Sequence, residues 1–309
     1  MSAATGLLLV EPAAFGFNTE TAATNRFQHP DGLSPAAAAE QARSEFAGLA
    51  ATLRRPGIRI AVAADDPVPA RPDAVFPNNW VSFHDDGTVV LYPMRDPTRR
   101  AERREAVLDV VKSQLGFHET RRVDLSGEEA HGRFLEGTGS LVLDHRMRVA
   151  YACRSPRTDE SLVREWARQL GYEPFLFDAT TADGAPVYHT NVMLWLGAGI
   201  AGIGLPWVDA TQRAALARHL RASGRDLLEL EGTQLQRFAG NMLEVPSASG
   251  RHLVMSAAAC DSLHPAQLKQ LAAAGSTPLV AAVPVIERLG GGSVRCMLAE
   301  VPLASGRPG

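Results

Sequence analysis

Short runs of apolar and β-branched residues recur along the whole chain: Leu7–Val10, Ile58–Ala63, Val89–Tyr92, Ser140–Leu143, Val149–Cys153, Val192–Leu196, Leu227–Leu230, His252–Met255, Leu279–Val285 and Cys296–Val301. Their length and their Gly, Pro and polar borders predict buried strands. Between them, apolar residues at three-to-four spacing predict helices over Pro35–Leu53, Arg99–Leu115, Asp159–Leu170, Ala210–Arg221 and Pro265–Ala273. The third helix has a start signal at Thr158 or Asp159 and a Gly171 stop, and the fourth runs in the same manner from Asp209 to Gly224. The uncharged segment Val192–Val208 contains four glycines and a proline and is shorter than a membrane span, so it reads as two strands joined through Gly197-Ala198-Gly199. Strands and helices alternate without a linker or low-complexity tract, which predicts one continuous α/β domain over residues 1–309. The order strand, strand, helix, strand returns at spacings of roughly 50 to 60 residues, the mark of a radial repeat. A doubly wound sheet is the competing architecture, but no GxGxxG or GxxxxGK[ST] loop follows any strand.

Composition narrows the partners. The 309 residues are 45% hydrophobic and 21% charged, the balance of an ordinary globular protein. With 31 basic against 34 acidic residues, the net charge of −3 provides no field for nucleic acid or a membrane surface. Three widely spaced cysteines without a CxxC pair argue against a disulfide framework and a zinc site, and nothing at the N-terminus reads as an export signal. These features predict a cytoplasmic protein acting on a small molecule; a homo-oligomer is compatible with them. None of the nine histidines has the spacing of a metal motif, so neither metal nor cofactor is expected.

Three residues stand out as chemistry. Cys296 follows the triple glycine Gly290-Gly291-Gly292, which calls for a sharp turn or a close backbone approach. Glu136 lies among apolar residues in Phe134-Leu135-Glu136-Gly137-Thr138-Gly139-Ser140, where a buried carboxylate needs a partner. His189 opens a strand in Tyr188-His189-Thr190-Asn191-Val192. Taken singly, each has an ordinary structural reading as a packed thiol, a loop carboxylate or a satisfied imidazole. Together they supply a nucleophile, a proton shuttle and a carboxylate to orient it, provided they converge on one cavity.

The ordered set Phe76-Pro77-Asn78-Asn79-Trp80, Leu135 to Ser140, Ser155-Pro156-Arg157-Thr158, His189 to Val192 and Gly290 to Met297 resembles the pentein superfamily of guanidine- and ureido-modifying enzymes, and within it the citrulline-utilisation hydrolases once labelled amidinotransferase-like proteins. Phe17-Asn18 to Phe27-Gln28 adds to the likeness, which spans most of the chain. The resemblance implies a five-bladed pseudo-symmetric α/β propeller of ββαβ units, the pentein fold, around a central site. It also implies Cys296 as nucleophile, His189 as general acid and base, and Glu136 as the carboxylate touching substrate nitrogens or the histidine. Arg157 matches an arginine that in arginine deiminases grips the substrate α-carboxylate, a role that suits a guanidinium fork; a solvated neighbour of a helix cap is its alternative reading.

The departures from the pattern bear on the substrate. Where arginine-processing members carry two carboxylates around the guanidinium, this chain has Asn79 and Asn191. A guanidinium offers only donors and a fixed charge, whereas a ureido group adds an acceptor oxygen that an amide can serve. The expected activity is therefore cysteine-dependent, cofactor-free hydrolysis of citrulline to ornithine, ammonia and carbon dioxide. The enzyme alternatives are a guanidino hydrolase of the arginine deiminase or dimethylargininase type, or an amidinotransferase. An inactive pentein-fold binding protein is disfavoured by the Cys296, His189 and Glu136 set. Cys153 and Cys260 are assigned to packing, and Asn78 to a turn.

Overall fold

A computed structural model describes residues 5–303. Fifteen strands form five three-stranded sheets, each built the same way. In the chain's second unit, β3 (Val81–Phe83) pairs antiparallel with β4 (Thr88–Leu91), and β4 pairs parallel with β5 (Arg121–Asp124) after the helix Glu105–Leu115. The third unit is β6 (Val142–Asp144), β7 (Val149–Cys153), the helix Glu160–Leu170 and β8 (Glu173–Phe177). The fourth is β9 (Leu194–Leu196), β10 (Ile200–Ile203), the helix Arg213–Ala222 and β11 (Asp226–Glu229). The fifth is β12 (Leu243–Ser247), β13 (Gly250–Ser256), the helix Pro265–Ala273 and β14 (Ser276–Ala281). The remaining unit closes the ring: β15 (Ala299–Pro302) pairs antiparallel with β1 (Thr5–Glu11), which runs parallel to β2 (Ile60–Ala64) after the helix Pro35–Arg54. This is a five-unit ββαβ propeller, the pentein architecture.

The pattern follows from local chemistry. β4, β7 and β10 are buried along their length, as strands at the centre of a covered parallel pair must be, and so read as continuous apolar runs. The helix Glu160–Leu170 starts where Asp159 accepts from the Leu162 amide and stops at Gly171 in a left-handed conformation. Its buried face, Leu162, Val163, Trp166, Ala167 and Leu170, contributes roughly 1.5 to 3 kcal/mol for each large side chain. Gly197 and Gly199 separate β9 from β10 as the sequence predicts. Among the described residues, no helix is long and apolar enough to cross a membrane.

Four segments differ from their sequence-based expectation, three of them in one shared way. Ser140, Val192 and Cys296 were expected to open strands, and Arg99 to open one long helix. Instead Gly137–Ser140, Thr190–Val192 and Val294–Met297 are single helical turns placed just before β6, β9 and β15. Arg99 lies within a short turn, Pro97–Arg100, and the long helix begins only at Glu105, because the Arg99 side chain runs inward to Glu102 instead of lying on a solvated helix face. Pro77–Asn79 forms the equivalent turn before β3. The strands that these turns feed converge: β15 packs beside β3, β6 beside β9, and β9 beside β12.

Candidate active site

The turns before the innermost strands deliver the candidate residues to one place. Cys296, His189, Asn79 and Arg157 line a small cavity together with Asp73, Arg99, Tyr188, Phe76 and the Gly290–Gly292 loop. The enclosed space is about 20 Å³, room for little more than one water. A larger open groove of about 630 Å³, bordered by Phe27, Trp207, Arg237 and Arg288, contains none of the candidate residues. The size of a groove does not decide where chemistry happens; here the convergent polar groups belong to the small cavity.

Glycine makes the convergence possible. A side chain on Gly139 would place its Cβ 2.5 Å from Asn79 Nδ2 and 2.7 Å from His189 Nδ1, so these two groups meet over a bare backbone. Gly291 has φ +63, and Asn25 Nδ2 donates to the Gly290 and Gly291 carbonyls at 3.3 and 3.2 Å while the Tyr188 hydroxyl donates to Gly291 at 2.7 Å. The segment from Thr21 to Gln28 is thereby laid over the glycine loop and the cavity, with Gln28 Nε2 donating to the Leu289 carbonyl at 2.9 Å.

Glu136 does not reach the cavity wall. It is fully buried behind it, where Oε2 meets His189 Nε2 at 2.8 Å and receives Arg157 Nη1 at 3.2 Å, while Oε1 accepts from the Arg95 amide at 3.1 Å. Asn191 also lies off the wall, but its Nδ2 is 3.6 Å from Cys296 Sγ. Asn79 lies on the wall with its acceptor occupied: Oδ1 receives Arg99 Nη1 at 2.7 Å, and Nδ2 donates to Asn78 Oδ1 at 3.0 Å. Asn78 lies in the turn Pro77–Asn79, as expected, and is fully buried there. Arg157 is engaged on every side, by Glu136, by Asp96 Oδ2 at 3.2 Å, by the Thr21 carbonyl and by Thr24 Oγ1.

The matching family model, N,N dimethylarginine dimethylhydrolase, eukaryotic, covers residues 11–303. The chain belongs to this family. Among solved structures, the fold is similar to the N-terminal domain of ArgZ with bound substrate, an arginine dihydrolase from the ornithine-ammonia cycle in Cyanobacteria, at TM-score 0.74 and 18% identity over 97% of this chain and 98% of that one. AgrE in a ternary complex with ornithine and NAD+ gives 0.75 at 16% identity, over 98% of this chain and 40% of the much longer AgrE chain. A dimethylarginine dimethylaminohydrolase adduct with S-methyl-L-thiocitrulline gives 0.65 at 14% identity, over 96% and 98%. No curated protein sequence matches.

The electrostatics of this family member's cavity are unequal. Burial would raise Glu136, but Arg157 and the His189 contact outweigh it and hold the carboxyl well below the usual carboxylate range. Burial lowers His189 to about 4 against the pull of Glu136, so a neutral imidazole sits beside an ionised carboxylate whose charge Arg157 balances. An ionised carboxylate only accepts, so Nε2 carries the imidazole proton and Nδ1, facing Asn79 and Gly139, is the free base. Burial raises the Cys296 thiol, with the Asn241 amide opposing it.

Three cavity or near-cavity groups escaped the sequence reading. Asp73 is buried on the wall with Oδ2 bound by Asn18 at 2.7 Å and Oδ1 unpartnered. Arg99 is buried and forms two 2.8 Å bonds to Glu102. Asn241 touches the Cys296 sulfur at 3.3 Å. The signal for Asp73 was a carboxylate three residues before Phe76-Pro77-Asn78-Asn79, in a stretch whose prolines read as loop. Among the described residues, no cluster of three or more His, Cys, Asp or Glu is placed to hold a metal.

Proposed function

We propose that residues 1–309 act as one catalytic domain that hydrolyses a C–N bond at the central carbon of a guanidino amino acid, with Cys296 as covalent nucleophile. The observation that carries this reading is that Cys296 and His189 line one cavity, with Glu136 bound to the imidazole behind its wall, in a chain of the dimethylarginine-hydrolase family. The cationic substrate is served by Asp73, whose Oδ1 is an unpartnered acceptor and whose carboxyl is raised by burial against the pull of Arg99. An amino acid does not fit into 20 Å³, so entry requires the cavity to widen. The thiol proton passes to His189 Nδ1 as Sγ attacks the central carbon. The amine leaves with the proton from His189, giving a covalent amidino-thioether. Water then attacks, losing a proton to His189, and the C–S bond breaks to return the thiol and release a ureido product. Glu136 holds the imidazole tautomer, and Arg157 keeps Glu136 ionised.

A second reading, citrulline as substrate, is favoured by Asn79. With Oδ1 taken by Arg99, the Asn79 side chain has only an N–H left to offer, which suits a ureido oxygen and not a guanidinium. The family and its solved neighbours bear on guanidino substrates, and so the guanidino reading leads. The test offers L-arginine, ω-dimethylarginine and L-citrulline separately to the protein and to its Asn79→Asp, Asn191→Asp double variant, following citrulline, ornithine, dimethylamine and ammonia. Citrulline from either guanidino substrate supports the first reading. Consumption of citrulline alone, shifted toward arginine by roughly tenfold or more in the double variant, establishes the second. Inertness toward all three overturns both.

A further inference from the structure

The five units are built alike, yet only four of their entry turns have been given a task. Asn79 precedes β3, Glu136 precedes β6, His189 and Asn191 precede β9, and Cys296 precedes β15. In the fifth unit the residue in this position is Asn241, two before β12. It is fully buried. Its Nδ2 donates to the Asn191 carbonyl at 2.8 Å and lies 3.3 Å from Cys296 Sγ. The bond to a carbonyl fixes which amide atom is nitrogen. Gly240 lets this backbone press against Val192 and Met193, because a Cβ there would collide with the Val192 carbonyl.

The other end of the same amide, Asn241 Oδ1, is buried without a partner. Oδ1 is thus a buried acceptor open to a ligand donor, and an unsatisfied group of this kind is destabilising until it is paired. We propose that Asn241 is a catalytic residue of this site: its N–H stabilises the Cys296 thiolate, and its Oδ1 accepts an N–H of the guanidino or ureido group under attack. The inference rests on Cys296 being the nucleophile. The charged and titratable groups around the sulfur are His189, Tyr188, Asp73, Arg99 and Arg157 across the cavity and Arg295 on the same turn. Arg295 is tied away, to the Leu298 carbonyl and Glu300. Of the two amides on the sulfur, Asn241 is the nearer, at 3.3 Å against 3.6 Å for Asn191.

The experiment compares the wild-type protein with Asn241→Ser, too short to reach the sulfur, and Asn241→Asp, which keeps an acceptor but removes the donor. Alkylation by iodoacetamide is followed at the Cys296 peptide as a function of pH, alongside steady-state turnover of L-arginine and L-citrulline. Loss of one hydrogen bond to the thiolate slows alkylation of Asn241→Ser at neutral pH by about tenfold and moves its profile to higher pH. Asn241→Asp moves further in the same direction through charge repulsion, and kcat falls in both. Alkylation profiles that match wild type in both variants overturn the inference, as does failure of both variants to fold, which would make Asn241 a structural tie. Undiminished turnover in Cys296→Ala is a separate result that removes the nucleophile reading itself.

Discussion

Cys153 and Cys296 are both buried and both raised by that burial, Cys153 to about 12. One helical turn, Thr190–Val192, serves both of them. Its Thr190 hydroxyl accepts from the Cys153 amide at 2.8 Å and lies 3.4 Å from that sulfur, and the Cys153 thiol donates to the Val187 carbonyl at 3.4 Å. The next residue, Asn191, turns the other way and presents its amide to Cys296. Cys153 therefore faces a carbonyl that holds the thiol proton in place, whereas Cys296 faces two amide N–H groups and a cavity containing an imidazole. Burial does not separate a packed cysteine from a reactive one; the polarity of the atoms aimed at the sulfur does.

Substitution breaks this comparison most severely. Cys296→Ala should reduce turnover by about 10³-fold or more, because the covalent route is lost. Cys153→Ala should leave turnover within a few-fold and lower stability by about 1 kcal/mol, as a small core deletion does. Steady-state kinetics together with urea unfolding of both variants check the pair; a swap of the two phenotypes would reverse the assignment.

The histidines repeat the contrast and add a pH dependence. His189 and His84 are both pushed down to about 4 by burial, but His84 meets Ser82 and the Trp166 ring while His189 meets Glu136. Above the unfolded-state pKa near 6.5, folded and unfolded chains are both neutral at these sites and the contribution to stability is complete. Below it the unfolded chain binds protons that the folded chain refuses, so stability falls as pH drops from about 6.5 toward 4, by up to about 3 kcal/mol for each histidine. Urea titrations across that window should show the loss, and His84→Gln should flatten it without abolishing turnover. A stability profile that is level from pH 6.5 to 4 contradicts this account.

Much of the architecture was legible in the sequence because buried parallel strands are continuous apolar runs and the helices carry caps, as at Asp159 and Gly171. The strands that escaped lack a continuous apolar run. β5 reads Arg121-Arg122-Val123-Asp124 with one buried residue, and β12 contains Pro246. At the site, Cys296 and Glu136 were singled out because they sit beside glycines, and His189 because it stands at the mouth of a strand in His189-Thr190-Asn191-Val192. Asp73, Arg99 and Asn241 carry no such flag: Asp73 follows Pro72, Arg99 stands in an Arg-Arg pair that reads as a solvated helix face, and Gly240-Asn241 reads as a turn. Their significance arises from a closed ring that brings five distant turns together, which no local pattern encodes. The single helical turns at Gly137–Ser140 and Val294–Met297 were missed for a related reason, since tertiary closure overrides the propensity of so short a segment.

The central claim is that Cys296, and not its buried counterpart Cys153, forms the covalent bond to the substrate. Acid-quenching the wild-type protein during turnover of L-arginine, ω-dimethylarginine or L-citrulline, then digesting it and weighing the peptides, reads this directly. The account predicts, on the peptide containing Cys296, an added mass equal to the consumed substrate less its departing amine, and unmodified Cys153 and Cys260 peptides. Active turnover with the added mass on either of those peptides would contradict it.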